Sequence, residues 1–362
     1  MKIVPGQIRT VHDCSEADHQ PLIPGLPDEI AEQCLLRLPY PYHSLFRSVS
    51  SAWNRTLSNP NFLSSKKTHP YLFIFSSDHR NHHLWLSFDP RHRRWFTLPP
   101  PPSPSPPIGF ATAADSLSGS LFVLGGLLSD DSANPLRTLL SYSATTNSWS
   151  ASLSPMPTPR SFFAAGAVNG KIVSAGGGGV DVYDPAEDRW TTSSAAGNGR
   201  WGGLGRYDAA VVKGRMHVTE GWTWPFNSSP RAGVYDAEGD TWREMKVGMR
   251  EGWTGASVVL EGGRLVVVSE CGERRLKVYE EGMDAWVYVE GEGVPEEIGR
   301  PYAVGGAERT VYVVAGGLDV GIGRLGCDDG KGKGKWRVEW EVVKGPKVFE
   351  GWVPQHCQVL YA

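Results

Sequence analysis

Four histidines, His79, His82, His83 and His92, crowd one short stretch of the chain. Imidazole is a common zinc ligand, so the stretch invites a metal-site reading. No Cys or carboxylate completes a ligand spacing around them, and they straddle an expected hairpin loop; no metal and no cofactor are expected. Gly176 to Gly179 would cradle a phosphate only if a helix followed, and a strand pattern follows instead. The run Lys331 to Lys335 reads as a solvated loop, and a formal net charge of −3 offers no basic excess for nucleic acid. Pro99 to Pro107 reads as a stiff polyproline connector rather than an SH3 or WW ligand. No Ser/His/Asp or Cys/His set suited to nucleophilic catalysis stands out. What does stand out is a set of residues suited to holding another protein: Arg160, Arg200, Trp201, Arg206, Trp222, Trp224, Arg231, Arg250, Trp253, Arg274, Arg300 and Trp352. Arg and Trp are the side chains most enriched at interaction hot spots.

The elements that must position these residues are set by a repeat. An aromatic residue is followed seven positions later by Trp at Phe88–Trp95, Tyr142–Trp149, Tyr183–Trp190, Tyr235–Trp242 and Tyr279–Trp286. With 14 Trp, 12 Tyr and 12 Phe in 362 residues, chance supplies roughly one such pair. The pairs recur every 40 to 55 residues or so, the length of one propeller blade. Residues 160 to 195 show the unit most clearly. Phe162 to Val168 is a strand, Asn169-Gly170 a two-residue hairpin turn, and Lys171 to Ala175 a second strand ended by glycines. Val180 to Tyr183 is a third, Asp184-Pro185 begins a turn, and Arg189-Trp190-Thr191 starts a fourth. Four antiparallel strands in this order make one blade. A high glycine count of 43, with 27 prolines, agrees with many tight turns.

An apolar strand, a Gly-Gly pair and then Tyr and Trp seven apart together resemble the kelch repeat over about 290 residues. The first unit, Tyr71 to Phe75, Leu84 to Phe88 and Trp95 to Leu98, lacks a first strand. His356 to Tyr361 is therefore expected to complete it and close a six-bladed ring without free edges. The last blade has Gly316-Gly317 but no Tyr before Trp336 or Trp340. In kelch propellers an Arg just before a first strand commonly contacts the partner, and Arg160 matches that position. Kelch enzymes of the galactose-oxidase kind need a copper site of Tyr and His ligands, and no such constellation is evident.

Only residues 22 to 62 read as helical. Asp28 and Glu29 suit a first helical turn, Ile30, Ala31, Cys34, Leu35 and Leu38 form an apolar stripe, and Pro39 ends it. Leu45, Val49, Trp53 and Leu57 follow at four-residue steps before Asn59-Pro60. About 40 residues of short helices bury little core alone, so their apolar faces need another surface, either the propeller or a second protein. Phe46 and Trp53 share the seven-residue spacing but belong to this different context. Leu26-Pro27, Ile30, the run Leu35 to Pro39, Arg47-Ser48-Val49-Ser50 and Ala52-Trp53 resemble an F-box. The resemblance implies docking on the Skp1 adaptor of a cullin-RING ubiquitin ligase, with Leu26, Pro27, Ile30, Leu35, Leu38 and Trp53 at or behind the contact.

The expected organisation is a disordered tail over 1–20, an F-box over 21–63, a short linker over 64–70 and a propeller over 71–362. Five scattered cysteines without a CxxC fit reduced thiols, hence cytosol or nucleus. No signal peptide and no span of about 18 apolar residues is evident. The stretches 220–231 and 248–255 look like those of plant kelch-repeat F-box proteins, several of which target enzymes of phenylpropanoid and flavonoid metabolism. That resemblance implies a non-enzymatic substrate receptor, with Arg160, Arg206, Trp222, Trp224, Arg231, Arg250, Trp253, Arg300 and Trp352 on its target face. A kelch enzyme and a scaffold without ligase function are the alternatives.

Overall fold

The computed structural model describes residues 21–38, 40–59, 62, 68–102, 108–129, 134–150, 153–176, 179–195, 207–221, 229–270, 272, 275–327 and 334–362. The expected tail, residues 1–20, lies outside them. The chain divides into two compact units between residues 67 and 68.

The first unit holds three helices: α1 (Asp28–Leu36), α2 (His43–Phe46) and α3 (Ser51–Leu57). Asp28 and Glu29 sit in the first turn of α1, where negative charge meets the positive end of the helix dipole. The four-residue stripe from Leu45 to Leu57 is split between two helices. Ser50 breaks it, because its extended backbone and side-chain oxygen cap α3 by accepting from the Trp53 N–H at 3.1 Å. Leu35, Leu57 and Phe62 form the core, with Leu38, Phe46 and Trp53 packed on it.

The second unit is a six-bladed propeller. Blades two to five each use four consecutive antiparallel strands: Ala111–Asp115, Ser120–Leu124, Leu139–Ser143 and Ser148–Ser150 in blade two; Ala164–Val168, Lys171–Ala175, Val180–Asp184 and Arg189–Thr192 in blade three. Blade four runs Asp208–Val212, Arg215–Thr219, Ala232–Asp236 and Thr241–Glu244; blade five runs Gly255–Leu260, Arg264–Ser269, Leu276–Glu280 and Ala285–Tyr288. Phe162 is not part of its blade's first strand, since its backbone is left-handed and the strand begins two residues later. Blade six supplies the strands missing from the repeat pattern as Val320–Cys327 and Trp336–Val343, after Ala303–Ala307 and Thr310–Val314. It also gains a fifth, outermost strand, Glu290–Gly291, which runs parallel to Trp336–Val343.

Blade one combines both ends of the propeller. Val353–Tyr361 pairs with Pro70–Ser77, followed by His83–Asp89 and Arg94–Thr97. The closing strand starts three residues earlier than the sequence pattern suggests. The expected linker is shorter at its end, because Pro70 is already in a strand and His69 exchanges backbone hydrogen bonds with Ala362.

The repeated aromatic pairs face each other across the outer two strands: Tyr142 opposes Trp149, Tyr183 Trp190, Tyr235 Trp242 and Tyr279 Trp286. These tyrosines are almost wholly buried, with ring centroids 5.1 to 5.4 Å from their tryptophans. Rings also join neighbouring blades, as in Phe73–Tyr142 at 5.8 Å and Trp85–Trp149 at 5.5 Å. The first strands line a central channel of about 430 Å³. They approach so closely that a Cβ on Gly306 would lie 2.8 Å from Val258 Cβ in the next blade.

Candidate functional site

Two surfaces qualify, one on each unit. On the helical unit, Leu26, Pro27, Ile30, Leu45 and Val49 are exposed, Ile30 at 51% and Leu45 at 63%. These solvent-facing aliphatic side chains make this unit the candidate for a protein contact. Of the expected adaptor contacts, Leu26, Pro27 and Ile30 lie on this surface. Leu35 is buried, while Leu38 and Trp53 are half-buried on the core behind it. Trp53 is fixed there: its Nε1 donates to the Leu22 carbonyl at 2.5 Å and its ring packs 5.7 Å from Phe46. Leu45 and Val49 are the residues the sequence reading left inside a stripe; the Ser50 break is the local signal that could have moved them out.

On the propeller, antiparallel order places the loops after each second strand and the connectors before each first strand at the same end of the channel. The Arg and Trp residues singled out from the sequence come from these segments. Arg206, Trp222 and Trp224, with Arg200, Trp201 and Arg274, lie outside the described residues. Arg231 is half-exposed and doubly bonded to Glu220, Nε–Oε2 at 2.7 Å and Nη2–Oε1 at 2.6 Å. That bidentate pairing presents an oriented, partly neutralised guanidinium. Arg300 lies 3.8 Å from Glu270, with both side chains exposed. Arg250 sits in α4 (Val247–Gly252), partly covered and 3.5 Å from Glu251. Trp352 is partly buried, its ring 6.0 Å from Phe349 and its carbonyl accepting from the Gly317 N–H at 2.8 Å.

Two of the expected contacts are interior residues. Arg160 is 3% exposed, and its Nη2 bonds the fully buried Asp181 at 2.8 Å. Its Nη1 donates to the carbonyls of Gly176 and Gly179, so the guanidinium stitches the loop after the second strand to the third strand. Burial of a charge demands this degree of pairing, and removing Arg160 would strand Asp181 in the interior. The same segment explains a glycine pair. The Arg160 carbonyl accepts from the Gly126 N–H at 2.8 Å, and a Cβ on the left-handed Gly125 would lie 2.4 Å from that oxygen. Trp253 is 1% exposed and donates from Nε1 to Asp208 at 2.8 Å. Burial pushes the Asp208 carboxyl up to about 6, against the bonds from Ser257 and Trp253. Asp208 opens blade four's first strand, at the channel end that carries the loops.

A second recurring device escaped the sequence reading. Each Tyr of the repeat donates its hydroxyl to an Asn or Asp five positions on: Tyr142 to Asn147, Tyr183 to Asp188, Tyr235 to Asp240 and Tyr279 to Asp284, at 2.6 to 2.8 Å. The Asp residues also hold the incoming connector: Asp188 accepts from Ser154 N–H, Asp240 from Ser194 N–H, and Asp284 from Gly248 and Met249 N–H. Trp149, Trp190 and Trp286 add bonds from Nε1 to the carbonyls of Pro99, Ser154 and Met249. The signal was a turn-favouring Asn or Asp two residues before each of these Trp.

Comparison with known proteins agrees with this architecture. Residues 23–65 match the F-box domain family. The chain is 45% identical to the F-box protein AFR of Arabidopsis thaliana, over 98% of this chain and 97% of that protein. It is 36% identical to an F-box/kelch-repeat protein of the same plant, over 95% of this chain and 87% of the relative. A further F-box/kelch-repeat protein of that plant is 29% identical over 75% of this chain and 71% of its own length. With an F-box leading into a six-bladed ring, and relatives matched along nearly the whole length, the chain belongs to the F-box/kelch-repeat family of substrate adaptors.

Proposed function

We propose that the chain is the substrate-recognition subunit of a Skp1–cullin–F-box ubiquitin ligase, in the cytosol or nucleus. The F-box docks on a Skp1-type adaptor, and the loop end of the propeller captures a protein destined for ubiquitination and proteasomal degradation. The chain performs no bond chemistry in this reading. Its mechanism is proximity: a captured target's lysines reach a high effective concentration at the ubiquitin-charged enzyme. The observation that carries the reading is the exposed aliphatic surface of Leu26, Pro27 and Ile30 on a unit with its own small core. Burying one such aliphatic side chain against the adaptor contributes about 2 kcal/mol, or roughly thirtyfold in affinity.

Co-expression with a Skp1-type adaptor tests it. The wild-type chain co-purifies with the adaptor; Leu26→Asp and Ile30→Asp each lose it while the propeller's melting transition is unchanged. Retention of adaptor by both variants would defeat the assignment. For the target, the 220–231 and 248–255 stretches make an enzyme of phenylpropanoid or flavonoid metabolism the class to examine first. Proximity labelling with the proteasome blocked identifies it directly.

A further inference from the structure

The outer hairpin turn of every repeat begins with an acidic or polar residue, and three of these turns can be compared within the one molecule. In blade three Asp184 accepts from the Ala186 N–H at 3.0 Å and pairs with Lys171 at 3.3 Å. In blade four Asp236 accepts from the Glu238 N–H at 3.2 Å and pairs with Arg215 at 2.9 Å. Each carboxylate thus meets a permanent cation on the first residue of the second strand, and Arg215 stands directly opposite Asp236.

Blade one builds the same turn differently. Asp89 Oδ1 accepts from the N–H groups of Arg91 at 2.9 Å and His92 at 3.2 Å, so the turn is conserved in form. Continuing the strand register one step past Leu72–Phe88 sets Tyr71 beside Asp89, where the other two blades have Lys or Arg, and the Tyr71 hydroxyl meets the carboxylate. The Asp89 side chain is only 1% exposed. Two imidazoles flank it instead: His92 Nδ1 lies 2.8 Å from Oδ2 and His69 Nε2 3.4 Å from Oδ1. All three ligand atoms fall within 4.8 Å of one another. His69 Nε2 is buried, and Asp89 is the group it meets. Two imidazole nitrogens converging on one buried carboxylate are the kind of donor set that holds a transition-metal cation.

We propose that His69, Asp89 and His92 bind one divalent transition-metal ion of the zinc type. Two nitrogens and one carboxylate oxygen are the ligand softness that selects zinc or cobalt over calcium or magnesium, which take oxygen shells. His92 is half-exposed, so solvent supplies the remaining position. The role is structural. His69 pairs through its backbone with Ala362, while Asp89 and His92 sit in the outer hairpin turn. The ion therefore clamps the start of the propeller, at its seam with the last residue, to the outer edge of the closing blade, where the other two blades use an ion pair.

The test uses tag-free full-length protein stripped with chelator and desalted. Calorimetric titration with Zn²⁺ gives one equivalent per chain, Co²⁺ gives visible d–d bands of a nitrogen/oxygen site, and Mg²⁺ gives neither. Zn²⁺ raises the melting temperature of the wild type. His92→Gln, at an exposed position that leaves the core intact, loses that shift and binds at least tenfold more weakly; His69→Gln does the same. Equal uptake by wild type and His92→Gln, or no uptake by either, overturns the proposal. In that case the cluster is a hydrogen-bonded clamp only.

Discussion

At the scale of single residues, the same side chain serves opposite purposes depending on what lies opposite it. Arg160 and Arg231 both come from the loop end of the propeller, yet one is sealed against Asp181 and the other half-open beside Glu220. Sequence alone presents two equivalent arginines; the distinction rests on partners 21 and 11 residues away. Asp208 gives this scale its measurable consequence. Its folded pKa of about 6 exceeds the ordinary 3.8 because burial disfavours the carboxylate. Between those values the folded state holds a proton that the unfolded state releases. Stability from this group is therefore fullest below about pH 4, falls as pH rises to about 6, and stays lowered above it. Asp208→Asn keeps an acceptor for Trp253 Nε1 and removes the charge. Urea midpoints should show the variant more stable than wild type at pH 7.5 by ~1–2 kcal/mol, discounted for partial solvent access, and equal to it near pH 4. A variant less stable at pH 7.5, or a difference unchanged between the two pH values, would show that Asp208 is ionised at no cost.

At the scale of the element, the outer hairpin of each blade is both what the sequence made legible and what it concealed. Tyr183 and Trp190 are large, rare and directly opposed, so their spacing marks the hairpin in any single sequence. The blade count and the closing strand followed from that periodicity. Asp188 was concealed because a lone Asp in a turn satisfies local turn chemistry without revealing that it also binds Ser154 N–H and the Tyr183 hydroxyl. The His69–Asp89–His92 cluster was concealed for a related reason: its members lie before one strand, at the end of the next and in the turn after it, and only the folded blade joins them. The aliphatic F-box surface was legible in part, since apolar spacing shows a stripe but not which of its members face a core. The hairpin itself can be taken apart. The molecule already contains a version without the hydroxyl, because blade one has Phe88 at the Tyr position and Arg93 five residues on. Tyr183→Phe should thus cost only about 1 kcal/mol, the net worth of one hydrogen bond. Tyr183→Ala should cost about 3–5 kcal/mol, as it empties a fully buried ring site against Phe122 and Trp190. Chemical denaturation of both variants separates the terms; equal losses would mean that the hydroxyl, not the ring, carries the hairpin.

At the scale of the whole molecule, the ring is only as stable as its one discontinuous blade. In blades two to five each first strand is tied to its second by a turn of a few residues. In blade one the two strands come from opposite ends of the propeller, and only their pairing across Pro70–Ser77 and Val353–Tyr361 joins them. That strand also completes the channel wall between blades six and two. Cys357 Sγ would lie 3.0 Å from a Cβ on Gly305, and Gln358 Nε2 donates to Thr112 Oγ1 at 3.0 Å. Leu360 and Cys357 are buried, and burial pushes the Cys357 thiol up to about 12, far from the reactive thiolate. Removing residues 356–362 therefore does more than trim a terminus. It exposes the edge of Pro70–Ser77, opens the channel on one side and leaves the first strands of blades six and two without their neighbour. Because each blade is packed on the next, the loss should spread around the ring: the truncated chain should lose its cooperative melting transition and become protease-sensitive throughout residues 68–355. In the intact chain, peptide mapping after maleimide treatment should show Cys357 unlabelled while the exposed Cys34 reacts. A truncated chain that melts like the full-length one would mean that five complete blades hold together without closure, and that the last strand is a covering rather than the fastening of the ring.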